Sequence, residues 1–139
     1  FPTRRSSDLE ILNPVDVAGW QGNHDWISTG SLPMRWDFLD DILWKFWQKD
    51  KNQYQKYLNE IVGDNDTNPE SIVKKVIDFM FCEYVIKQED LIDAIEVFKS
   101  DVPDIYYEDG TWTINDDSVP LQTYRLVGFL IKLPEYQLK

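Results

Sequence analysis

From Ser31 onward the apolar positions recur at helical spacing; before it they do not. Residues 10–30 are punctuated by Pro14, Gly19, Gly22 and Gly30 without any apolar period, which reads as a long irregular N-terminal loop. In the next stretch, SLPMRWDFLDDILWKFWQK, Ser31 can cap a helix and Pro33 fits its first turn, so the pattern predicts a helix to about Lys49. At about 100° per residue, its Trp, Phe, Leu and Ile side chains sweep roughly two-thirds of the circumference. Asp37, Asp41, Lys45 and Gln48 form the remaining polar stripe. A helix this apolar is expected to be covered on two sides.

Four further elements come after it. NQYQKYLNEIV predicts a short helix closed by Gly63. In DNDTNPESIVKKVIDFMFCEYV, Thr67 and Glu70 have capping-box spacing and Pro69 falls in the first turn. Ile72, Val73, Val76, Ile77, Met80 and Tyr84 then recur at helical spacing. QEDLIDAIEVFKS predicts an amphipathic helix through Leu91, Ile92, Ile95 and Phe98, and VPLQTYRLVGFLIKL another that stops before Pro134. Between them, Asp109-Gly110 separates Tyr107 from Trp112, a turn that reads as a loop or a marginal hairpin. The expected fold is therefore mainly α: a bundle-like domain of about five helices, with at most one short hairpin.

The chain has 139 residues and a formal net charge of -11, which sets its surface against nucleic acid and anionic membrane. No run approaches the ~18 apolar residues that mark a membrane span. One Cys and one His exclude an internal disulfide and a Cys/His zinc site, and no metal or cofactor motif is present. Within IDFMFCEYV, Cys82 reads as a buried small hydrophobe. The carboxylate-rich DNDTNPE and YYEDGTWTINDD lack calcium-loop spacing and read as solvated acidic loops. The first nine residues, FPTRRSSDL, stand apart. Their back-translation matches the end of a sequencing-library adapter, so residues 1–9 are expected to be a non-native leader. Residues 10–139 would then be a single helical domain, the C-terminal fragment of a larger protein. Such a fragment should expose apolar surface around Trp36, Trp44 and Trp47, where the missing upstream part of its own chain would pack.

The densest constellation is NPVDVAGWQGNHDWISTGSL, which sets Asp16, Trp20, Asn23, His24, Asp25 and Trp26 among glycines. Indole faces with amides and carboxylates suit a sugar, and His24 beside Asp25 could act as general base and orienter. The competing reading is a glycine-turned loop pinned by its two tryptophans. Arg35 lies in the apolar arc of the first helix, on a turn whose dipole disfavours a cation. Either Asp16 or Asp25 pairs with it, or its stem packs and its head reaches water.

NPVDVAGWQG, DWISTGSLPMR and the terminal LPEYQLK together resemble the C-terminal part of the bacterial family known as domain of unknown function 1800. Val17, Ala18, Gly19, Trp20, Gly22, Trp26, Ile27, Leu32 and Arg35 match its first cluster, and Pro134, Glu135, Tyr136, Gln137 and Leu138 its last. The chain departs from the pattern at Asp16, Gln21 and Ser28, where Asn, Pro and Asn are usual. The resemblance implies a largely helical, often exported (periplasmic or extracellular) protein several hundred residues long, with no activity to carry over. The leading expectation is a binding or assembly role for a helical segment. Its rival is a carbohydrate- or ester-directed hydrolase site completed upstream, with Trp20, His24, Asp25 and Arg35 as its residues.

Overall fold

Apolar runs separated by Gly, Pro and Asn give seven helices and no strand among the described residues, which in this computed structural model are 30–82 and 86–137. They are α1 (Ser31–Lys49), α2 (Asn52–Val62), α3 (Pro69–Phe81), α4 (Gln88–Lys99), α5 (Asp104–Glu108), α6 (Val119–Leu130) and α7 (Pro134–Gln137). The five long helices are those the periodicity predicts; α5 and α7 are short additions. The chain divides into two units, Phe1–Arg35 and Trp36–Lys139. The second unit carries α1 from Trp36 onward and every later helix.

Helices α2, α3, α4 and α6 close a ring in which each packs on the next. Its centre holds Leu58, Ile72, Val73, Val76, Phe81, Ala94, Phe98, Trp112, Val119, Leu126 and Leu130. Each sits on one stripe of its helix, except Trp112, which enters from the connection after α5. Burying such side chains contributes roughly 1.5–3 kcal/mol each, and this is what makes the ring the stable part of the unit.

The helix ends obey local chemistry, with three departures from expectation. Gly63 closes α2 at φ 87°, its N–H donating to Asn59 C=O at 2.8 Å. For α3 the cap is Asn68 rather than Thr67: Asn68 Oδ1 accepts the Glu70 N–H at 3.1 Å. Asp66, predicted to be solvated, instead ties the start of α3 together. It accepts from Ser71 Oγ at 2.7 Å, Lys75 Nζ at 2.8 Å and the Asn68 N–H at 3.0 Å. Partial burial pushes its carboxyl pKa up, but these hydrogen bonds and the Lys75 charge outweigh that and leave it below the usual value. The second departure is the short helix α5 in a stretch read as a loop or a marginal hairpin, and Asp109-Gly110 ends it. Asp109 N–H donates to Ile105 C=O at 2.9 Å, Gly110 turns at φ 68°, and Trp112 N–H returns to Tyr106 C=O at 3.0 Å. A left-handed residue after a helix favours glycine, and the reversal it makes drives Trp112 inward.

The third departure is Cys82. It caps α3 in the left-handed conformation at φ 53° and its side chain is exposed, not buried. The run before it is apolar, but one step past Phe81 the chain has left the helix and the side chain leaves the core with it. Native protein is therefore expected to react with a thiol reagent at the rate of an open thiol, one equivalent per chain. Labelling that required denaturant would contradict this placement.

Candidate functional site

Two features of the second unit could serve a function. The first lies between α1 and α2, over Val127 of α6. It is a groove of about 420 Å³ lined by Leu43, Phe46, Gln53, Tyr54, Tyr57 and Val127, almost entirely apolar. Tyr54 fixes α1 there: its buried hydroxyl donates to Leu43 C=O at 2.7 Å. Its ring stands 6.0 Å from Trp47 and 5.6 Å from Tyr124, which itself lies 5.4 Å from Trp47. Burial, with Tyr124 adding to it, pushes the Tyr54 hydroxyl up from 10.0 to about 12.

That shift has a direction that can be tested. A folded-state pKa above the unfolded one leaves stability intact below pH 10.0, then removes it as pH rises toward about 12, because only the unfolded tyrosine ionises. Tyr54→Phe should cost about 1 kcal/mol at neutral pH and flatten the alkaline limb of stability, read by urea titration at each pH. An unchanged alkaline limb would contradict the assignment.

Large side chains stand in water around the groove. Phe46 is 56% exposed at its lip, and Phe38, two turns earlier on α1, is 64% exposed. Ile42 lies between them at the same four-residue spacing, half-buried. Across α2, Tyr57 meets Phe79 of α3 edge-on at 5.9 Å, and Phe79 is 59% exposed. Burial, with Tyr136 adding to it, raises the Tyr57 hydroxyl. The expectation of apolar surface on α1 is thus met at one predicted position, Trp44, and also at Phe38 and Phe46. Trp44 is 48% exposed, while Trp36 and Trp47 are half-buried.

The second feature is an open cleft of about 800 Å³ between α1, α4 and α6. Its walls carry Asp40, Asp93 and Glu96 against Arg125 and Lys132 over a floor that includes Leu43, Val97 and Gly128. Both cations are engaged: Lys132 Nζ pairs with Asp40 at 2.8 Å and Arg125 with Asp101 at 2.9 Å. The cleft therefore has both cations engaged by carboxylates rather than presenting one to an anionic ligand. Among the described residues no set of three His, Cys, Asp or Glu side chains is placed to hold a metal, and no helix is long and apolar enough to cross a membrane.

Of the site residues read from the sequence, Trp20, Asn23, His24, Asp25 and Trp26 lie outside the described residues, as does Asp16. Arg35 is half-buried near the start of α1. What sequence reasoning missed is a buried polar centre. Gln122, fully buried, donates from Nε2 to Phe98 C=O at 2.9 Å and to Tyr107 Oη at 2.6 Å. Its Oε1 accepts from the buried Trp112 Nε1 and from Ser118 Oγ, both at 3.2 Å. This centre is structural: it joins α4, α5, α6 and the connection carrying Trp112.

Compared with known proteins, the chain matches the family described as protein of unknown function (DUF1800) over residues 4–138. It belongs to that family. No curated protein and no solved structure gives a significant match.

Proposed function

We propose that this DUF1800 chain acts in binding or assembly, through the apolar face that α1 and α2 form around their groove and α3 extends at Phe79. The observation that carries the reading is that Phe46 at the groove's lip, Phe79 against the groove-lining Tyr57 and Phe38 further along α1 each stand more than half in water. Leaving large rings hydrated forgoes roughly 1.5–3 kcal/mol per side chain, and clustered exposure of this kind marks surfaces that another surface covers. The charge pattern agrees. α1 carries three basic and three acidic residues, α2 one of each and α3 two of each, so each is neutral. Residues 88–117 instead carry ten carboxylates against Lys99 alone. A net-neutral face that carries exposed aromatic rings suits an apolar partner surface, and the acidic stretch would repel a nucleic-acid partner.

An apolar dye tests this. The chain is expected to bind it saturably, and Phe38→Ser combined with Phe46→Ser should weaken binding severalfold while leaving the helical circular dichroism unchanged. Trp44→Ser, on another side of α1, should have little effect. Dye binding that ignored both phenylalanines would overturn the reading.

A further inference from the structure

We infer that α1, from Trp36 onward, is a lid on the helical ring, able to leave it as a unit while α2, α3, α4 and α6 stay folded. The ring closes on itself without α1. Among the described residues, neither the buried core nor the half-buried side chains packed against it include a residue of α1. No residue of α1 is itself buried. Helices owe most of their stability to tertiary packing, and a 19-residue helix alone in water is marginal. Leaving the ring therefore also loosens α1, whereas the ring keeps every side chain of its core.

α1 lies on the ring along a narrow seam. Trp36, Leu39, Leu43 and Trp47 share one face at helical spacing and are half-buried. Trp47 meets Tyr54 and Tyr124, and Leu43 C=O accepts from the Tyr54 hydroxyl. Below Leu43 stands Gly128, where a Cβ would lie 3.7 Å from Leu43 Cδ1. The Asp40–Lys132 pair is partly in water on both sides, where ion pairs contribute little. Both flanks of the seam are undercut, by the cleft of about 800 Å³ toward α4 and the groove of about 420 Å³ toward α2. Another hollow of about 420 Å³ lies in the elbow, lined by Phe46, Lys49, Asp50 and Gln53. The elbow itself is Asp50-Lys51. Asp50 serves α2, its carboxylate accepting the Asn52 N–H at 3.0 Å and Gln53 Nε2 at 3.2 Å. α2 thus keeps its own start when α1 departs. Opening bares Tyr54, Tyr124, Val127 and Gly128 and takes a wall from the cleft and the groove alike. An occupant of either that touches α1 binds the closed lid alone and so holds it shut.

Hydrogen exchange of the chain, read amide by amide, tests this. Amides of residues 39–47 should exchange at least about tenfold faster than those of Val76, Phe98 and Leu126. Their dependence on urea should be less than about half as steep, because opening a lid exposes less surface than unfolding the ring. Ile72→Val, in the ring core, weakens the ring equally with the lid open or closed. It should speed the ring amides about two- to tenfold and leave residues 39–47 unchanged. Leu43→Ala, in the seam, should speed residues 39–47 about tenfold. Equal rates and urea slopes in α1 and the ring overturn the inference, as does an acceleration of residues 39–47 by Ile72→Val that matches the ring. Exchange of residues 39–47 that ignored Leu43→Ala overturns it too, because the opening would then be fraying within α1.

Discussion

Replacing Trp112 by alanine is expected to cost about 3–5 kcal/mol of folding stability, the largest loss of any single truncation among the described residues. Trp112 is 1% exposed and is the largest fully buried side chain among the described residues. Its ring meets Phe98 edge-on at 5.9 Å and Tyr107 at 5.1 Å, and its indole N–H is spent on Gln122. Alanine would leave a void that the surrounding helices fill only in part, and would remove one of the two donors to Gln122 Oε1. Native domains have about 5–15 kcal/mol in all, so the variant should be marginal at room temperature and unfold at physiological temperature. Urea unfolding followed by circular dichroism would show the midpoint falling by about 2 M. A loss below about 1 kcal/mol would mean that Trp112 does not sit in a rigid core.

Gln122→Leu should cost about 2–3 kcal/mol, although it puts an apolar residue of similar size into an apolar core. Leucine gains transfer energy on the order of 1–2 kcal/mol over glutamine, which argues for stabilisation. Against this, the change leaves the Trp112 indole N–H and the Phe98 carbonyl buried without their partner, at about 1–3 kcal/mol each. Tyr107 and Ser118 are less deeply placed and can turn to water, so they add less. The loss therefore wins. A double-mutant cycle with Trp112→Phe checks the cause: with the indole N–H gone, Gln122→Leu should cost at least about 0.5 kcal/mol less. Additive losses would show that the hydrogen bond is not what Gln122 supplies.

Helix existence was legible because it depends on local chemistry that the sequence displays. Pro69 in a first turn, Gly63 after Val62 and the apolar period of Ile72 to Met80 act within a few residues of themselves. Details set by competition between neighbours were less legible. Thr67 and Asn68 are both good caps, and Asn68 holds the position once Asp66 has claimed Ser71 and Lys75. Ile92 counted as core on α4 because it is apolar. The ring instead buries Ala94 and Phe98, with Leu91 and Ile95 packed against them, leaving Ile92 48% exposed.

The polar centre escaped for a related reason. On α6 the buried stripe is Val119, Gln122, Thr123, Leu126 and Leu130, a regular helical face only if two polar residues are counted within it. Reading by hydrophobicity finds Leu126, Leu130 and Ile131, which are buried, and adds Leu121, Tyr124 and Val127, which are half-buried, in place of the polar pair. A polar pair completing an apolar period was the available signal. For the candidate site, the excess of apolar residues on α1 pointed to a surface in need of cover, but which rings stand exposed is set by how α1 lies on Tyr54 and Trp47.

Hydroxyl-radical footprinting of the chain in dilute solution tests the docking face most directly. In dilute solution Phe38, Phe46 and Phe79 should oxidise at the rate of open side chains, while Phe81, Phe98 and Trp112 stay protected. Strong protection of Phe38, Phe46 and Phe79 already in the dilute single chain would contradict the account, because the face would then be part of the core and not a surface for anything to dock on.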